Sequence, residues 1–177
     1  MRLFVAVNIP SSVKQSISAV YCSLPKDKVK IVSPENIHFT LQFLGEVNEN
    51  KLEQIKQLLK EVKFEQFALE IKDIGFFPNK DCMKIVWLGV ENPAEIIFLA
   101  NKINQTLLPL GFKPDKQFVP HLTIARVKQK IDSAKFIKNF KYKSFGSFSV
   151  SKFYLMQSVL TSQGPEYTIV GEFNAEA

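Results

Sequence analysis

His38 and His121 are the only histidines in the chain, and each is followed two places later by a threonine, Thr40 and Thr123. In an extended strand, side chains two apart project from the same face. Each segment therefore presents an imidazole and a hydroxyl together. Imidazole titrates near neutrality, so one such ring can take a proton from a nucleophile while the other gives one to a leaving group. The hydroxyls can donate hydrogen bonds to an oxygen that gains charge as the reaction proceeds. Water opening a cyclic phosphodiester needs such a set, with acid and base on opposite sides of phosphorus.

The magnitudes are sufficient without a metal. General acid or base action supplies about 10²- to 10⁴-fold each, and a well-placed donor roughly 10²- to 10³-fold. A lone strand histidine is ordinarily a packing residue hydrogen-bonded to its neighbours. With five threonines in 177 residues, both histidines meet one at the second place with roughly one chance in a thousand. No HxH, HExxH or carboxylate cluster accompanies either histidine, so no metal site and no cofactor is expected.

The elements that must carry these residues follow from apolar periodicity. Strands are predicted at Leu3–Ile9, Ile37–Leu44, Phe67–Ile74, Met83–Val90, Phe118–Val127, Phe148–Met156 and Tyr167–Phe173. Helical spacing runs from Ser11–Ser12 towards Leu24, through Leu52, Ile55, Leu58, Leu59 and Val62, and through Ile96, Leu99, Ile103, Leu107 and Leu110. The last of these has Asn92 as cap, Pro93 at the first helical position and Gly111 at its end. A shorter helix is predicted after Asp132–Ser133, through Phe140. Gly75–Asp81 and Gln163–Glu166 read as loops. This order gives an α+β unit used about twice, with one His-x-Thr segment in each half, 121 − 38 = 83 residues apart.

Parity on these strands assigns faces. Ile37, Phe39, Leu41 and Phe43 share the packing face of the first, while Leu122 and Ile124 pack in the second and His121, Thr123 and Ala125 share its other face. Pro120 lacks an amide donor and must stand at a strand start or edge.

A chain of 177 residues, 46% hydrophobic and 23% charged, can bury a sizeable core. One compact domain or two tightly joined lobes over residues 1–177 are expected, cytoplasmic and monomeric, with no membrane association. No apolar run reaches the roughly 20 residues of a membrane span, and the opening Met1–Asn8 turns polar too early for a signal peptide. Cys22 and Cys82 have no ligand-like spacing and are expected to be small core residues. A net charge of +6 suits a polyanionic partner such as RNA, without by itself demanding one.

Together these segments resemble the 2H phosphoesterase superfamily, named for two His-x-Thr/Ser-x motifs, and within it the RNA 2',3'-cyclic phosphodiesterases, also described as 2'-5' RNA ligases. The resemblance extends over nearly the whole chain. It is carried by Arg2–Ala6, Asn36–Val47, Gly75–Pro78, Val86–Val90, Phe118–Arg126, and Tyr154–Ser158 before Gly164 and Tyr167. The stretch Val29–Val32 lacks the aromatic residue that many relatives carry there.

The resemblance implies a two-lobed α+β fold with a pseudo-twofold axis, antiparallel sheets lining a central cleft and helices outside. It implies that His38 donates a proton to the leaving 3'-oxygen and His121 accepts one from water, giving a 2'-phosphate, with Thr40 and Thr123 on the phosphate. It also associates Arg126 with phosphate or nucleotide, although strand parity sets Arg126 opposite His121. Phe76, Phe77 and Tyr154 lie in segments near the cleft and could stack on a base. The implied partners are RNA with 2',3'-cyclic phosphate ends, or cyclic nucleotides. Rival readings are a relative acting on ADP-ribose 1'',2''-cyclic phosphate, a joiner of 2'-5' RNA ends, and a non-catalytic RNA-end binding module.

Overall fold

The computed structural model describes residues 1–114, 117–162 and 164–176. Among the described residues nine strands form one sheet: β1 (Arg2–Asn8), β2 (Val29–Ile31), β3 (His38–Glu46), β4 (Phe67–Phe77), β5 (Ile85–Val90), β6 (Leu122–Val127), β7 (Ser144–Val150), β8 (Lys152–Thr161) and β9 (Gly164–Asn174). Their order is β7-β4-β5-β6-β3-β1-β8-β9, with β2 added beside β6, and every pairing is antiparallel. One residue pair, Phe39 with Leu122, joins β3 to β6 at the middle. Four strands of that order lie on either side of it, so the two halves meet where the His-x-Thr segments begin.

The helices are α1 (Ser11–Ser16), α2 (Ser18–Ser23), α3 (Leu52–Lys60), α4 (Ala94–Leu107) and α5 (Ser133–Phe140). Ile96, Leu99, Ala100, Ile103 and Leu107 of α4 are buried, a stripe at three- and four-residue spacing that faces the sheet. α4 packs on β3, α1 on β7, α5 on β4, and α3 on α4 and β9. Their apolar stripes and the inward side chains Leu3, Val5, Val7, Phe39, Leu88 and Ile124 make one continuous core. Burying each such side chain contributes about 1.5–3 kcal/mol. Consumption of one sheet face by the helices leaves the other face open for chemistry.

Several local expectations change. Phe148–Met156 is two strands, not one, broken at Ser151. β7 pairs with β4 and β8 with β1, so the chain crosses from one half of the sheet to the other there. Val29–Ile31 is a strand with no counterpart in the apolar pattern, because three residues are too few to show a period. Gly75–Phe77 continue β4 and Gly164–Glu166 begin β9; Gln163 lies outside the described residues. The strand expected from Phe118 starts at Leu122, leaving Pro120 and His121 just ahead of it. Pro93, not Asn92, is the cap residue of α4, and no side chain caps that helix. Gly111, at φ 90°, ends the 3-10 turn Leu108–Leu110 that follows α4. The Asp132 carboxylate caps α5, accepting from the Ala134 amide at 2.9 Å. Cys22 and Cys82 are both free and exposed rather than core, one on the outer side of α2 and one in the β4–β5 connection. No helix among the described residues is long and apolar enough to cross a membrane.

Candidate active site

β3 is paired with β1 so that Asn8 faces His38 and Ala6 faces Thr40. Ile37, Phe39 and Leu41 go to the core, which turns His38 and Thr40 to the open face. Across the central pair, Leu122 and Ile124 are buried in the same way, and Thr123 is opposite Trp87 of β5. His38, the first residue of β3, and His121, just ahead of β6, are therefore close enough that a charge on His121 depresses the basicity of His38.

Both rings are fixed through Nδ1. His38 Nδ1 lies 2.8 Å from the Asn36 carbonyl and His121 Nδ1 2.8 Å from the Val119 carbonyl. A carbonyl only accepts, so each Nδ1 carries hydrogen and each neutral ring offers an Nε2 lone pair to the cleft. The Thr40 hydroxyl, 3.0 Å away, donates to Nε2 of His38. Nε2 of His121 has no hydrogen-bond partner among the described residues.

Aromatic walls hold each ring. His38 stacks on Phe4 at 4.9 Å between centroids and meets the edge of Tyr167 at 5.2 Å. His121 meets Phe77 edge-on at 5.0 Å and Trp87 at 6.2 Å. A side chain on Gly75, across from Trp87 in the ladder, would collide with the indole, so only glycine leaves room for Trp87 in its place beside His121. Burial lowers both histidine pKa values, His38 to about 4, against the opposing pull of the carbonyls on Nδ1. The positive charges of His121 and Lys14 push His38 down further.

Two bulges rearrange the predicted faces. Between Val5 and Ala6 of β1 the β3 register slips at Leu41, so that Leu41 and Gln42 both point inward and Phe43 emerges on the open face. Phe43, expected in the core, is 69% exposed, and Gln42 takes its buried place at 5%. The same slip occurs at Ile124 in β6, between Val86 and Trp87 of β5. Ala125, expected beside Thr123, is buried instead, and Arg126 swings onto the His121 face. Burial raises the Tyr167 phenol pKa, and the guanidinium groups of Arg126 and Arg2 pull it back in part.

Tyr154 shares a row with Ala6 and Thr40 and lines the same face with Phe4, Met156 and Tyr167. Phe76 does not reach the cleft: it pairs with Val86 on the inward side and is 8% exposed, whereas Phe77, one residue on, points to His121. Parity decides between adjacent phenylalanines, and β4 has a further register slip that sequence cannot show. Phe4, Phe43, Trp87 and Tyr167 are cleft residues that motif reasoning alone does not find. For Tyr167 the signal is its recurrence in the resemblance; nothing local to β9 ties it to a histidine in β3. Among the described residues no three His, Cys, Asp or Glu side chains converge as metal ligands would.

A sheet that sets two His-x-Thr segments side by side, Nε2 outward, on the face its helices leave bare is that of a 2H phosphoesterase. The family described as LigT like Phosphoesterase matches twice in tandem, over residues 7–87 and 88–167. The chain belongs to that family, and each match contains one His-x-Thr segment. It is 43% identical over 169 residues to a protein of Archaeoglobus fulgidus named RNA 2',3'-cyclic phosphodiesterase, with 94% of this chain and 96% of that protein covered. Its fold superposes on the crystal structure of TT0787 of Thermus thermophilus with a TM-score of 0.83 and 29% identity, over 98% and 97% of the two chains. The structure of E. coli LigT complexed with 3'-AMP matches with a TM-score of 0.83 and 26% identity, over 99% and 98%.

Proposed function

We propose that this protein hydrolyses 2',3'-cyclic phosphates at RNA ends and on nucleotides, leaving a 2'-phosphate. The observation that carries the reading is the pair of imidazoles, each fixed through Nδ1 with Nε2 left for the cleft, at the starts of two paired strands. The name of the Archaeoglobus relative and the nucleotide in the E. coli complex supply the substrate class.

In the reaction, neutral His121 takes a proton through Nε2 from water as the water oxygen attacks phosphorus. The bond from phosphorus to the 3'-oxygen breaks, and His38, protonated at Nε2, gives that oxygen its proton. The products are a 2'-phosphate monoester and a 3'-hydroxyl, with His121 charged and His38 neutral until solvent returns both to their starting states. Thr40 and Thr123 donate to the non-bridging oxygens, where charge builds, and Arg126 offsets the anion. Tyr154 and Phe43 offer ring faces for the terminal base. Incubating a 2',3'-cyclic nucleotide with the protein in excess EDTA is expected to give complete conversion to the 2'-phosphate. An intact ring would overturn the proposal, and a 3'-phosphate would exchange the two histidines' roles.

The lowered basicities set the pH dependence. His38 must hold a proton and His121 must lack one, so free-enzyme activity falls with rising pH as His38 loses its proton and with falling pH as His121 gains one. Both values lie below 6.5, so kcat/KM is expected to peak on the acid side of 6.5. The alkaline limb should fall about tenfold per pH unit. A bound phosphate's negative charge favours imidazolium, so the kcat profile should lie at higher pH than kcat/KM. A kcat/KM maximum above pH 8 would contradict this assignment.

A further inference from the structure

Asn36 closes the 3-10 turn Pro34–Asn36 just ahead of β3 and bonds in two directions. Its carbonyl accepts from Nδ1 of His38, and its side-chain amide donates to the Pro165 carbonyl of β9 at 2.9 Å, across 129 residues of chain.

The second bond requires the hairpin of β8 and β9 to leave the plane of the sheet. Tyr167 lies opposite Ser158, and Ser158 opposite Arg2, at one end of β1, whereas His38 lies opposite Asn8 at the other. On a flat sheet the six residue steps from Arg2 to Asn8 would hold those rows about 20 Å apart. The Tyr167 ring is nevertheless 5.2 Å from that of His38 and 5.1 Å from that of Phe4. A register slip supplies the bend: Gly171 pairs with Leu155 and Ile169 with Met156, leaving Val170 as an extra residue in β9. Beyond that bulge the hairpin arches over the open face, and Pro165 comes down on the turn that precedes His38. Arg126, from the other half of the sheet, is near enough to act on the Tyr167 phenol, so the arch stands over the cleft.

We infer that Asn36 is a positioning residue for His38. Its side chain latches the β8–β9 hairpin over the cleft, so that Tyr167 bears on the ring whose Nδ1 the Asn36 carbonyl holds. The proposed acid is thereby fixed from two sides by a residue that takes no part in proton transfer. What the latch serves rests on the proposed ring opening, but the latch itself belongs to the folded protein and can be read without turnover.

The test titrates the histidine rings by NMR in the parent, Asn36→Ala, Asn36→Gln, Tyr167→Ala and the double variant Asn36→Ala/Tyr167→Ala. Two histidines give two ring signals, which His121→Ala assigns. Asn36→Ala keeps the main-chain carbonyl and removes only the latch. Water then reaches the His38 ring, whose pKa should rise by about one pH unit towards its ordinary value, while that of His121 stays where it is. Tyr167→Ala should act alike, and the double variant should add little to either, because latch and ring act in series. Asn36→Gln keeps an amide donor and should hold most of the parent value. The charges of His121 and of Lys14 in α1, which also act on His38, are common to all of these variants, as are Arg126 and Arg2 beside the phenol. With a 2',3'-cyclic nucleotide, Asn36→Ala should lower kcat by about tenfold or more, as loss of ring alignment does, with KM little changed. A His38 that keeps its proton to higher pH should also carry the alkaline limb of kcat/KM upward. An unmoved His38, equal shifts in both histidines, or additive shifts in the double variant would overturn the inference. A coupled shift confined to His38 in a protein that opens no ring would leave the latch standing and sink the hydrolase reading alone.

Discussion

Replacing His121 with alanine is expected to lower the rate of cyclic phosphate opening by roughly 10²- to 10⁴-fold, the contribution of a general base. The protein should remain folded. The substitution removes one bond to the Val119 carbonyl and an edge contact with Phe77, and Val119 is itself exposed, so water can replace the lost donor. His38→Ala is expected to cost as much activity and more stability, because its ring is stacked on Phe4, wedged against Tyr167 and bonded to the Asn36 carbonyl. Thermal unfolding followed beside turnover separates the two losses. The double variant should be little worse than either single one, since an acid without its base contributes little. Full activity after His121→Ala would remove the histidine pair from the mechanism.

Thr123→Ala and Thr40→Ala come next, each expected to reduce kcat by on the order of 10²- to 10³-fold, as loss of a donor to a charge-gaining oxygen does. The two are not equivalent. Thr40 is hydrogen-bonded to Nε2 of His38, the atom proposed to release the proton, whereas among the described residues no such bond joins Thr123 to His121. Thr40→Ala should therefore also move the pH profile of kcat/KM, while Thr123→Ala should lower its height alone. Serine at either position keeps the hydroxyl and should restore most of the rate. A loss under about threefold in both alanine variants, far below that of a true donor, would show that the threonines only line the cleft.

The His38/Thr40 and His121/Thr123 faces are legible because a period of two survives over three residues whatever the partner strand does. Five residues on, it does not. The slips at Leu41 and Ile124 depend on how β1 and β5 are registered against β3 and β6, and nothing in the apolar pattern of a single strand encodes the register of its neighbour. Phe43, Ala125 and Arg126 lie on faces opposite to those parity assigns for that reason. The crossing at Ser151 is hidden in another way, since only Ser151 and Lys152 part Val150 from Phe153 and no glycine or proline marks the break. Asp132 is the contrasting case: a cap acts on amides two residues away, so sequence suffices to find it.

The paired bulges lengthen the signature itself. What reads in the sequence as His-x-Thr is, at the cleft, a phrase of six positions whose last letter also points to the open face: Phe43 in one half, Arg126 in the other. The first and third letters are the same in both phrases, so the proton-handling centre is nearly palindromic. The sixth letters differ, an aromatic ring against a cation, and a nucleic acid strand is likewise apolar at its base and anionic at its backbone. Direction is written into the site where the sixth letters of its two halves stop matching.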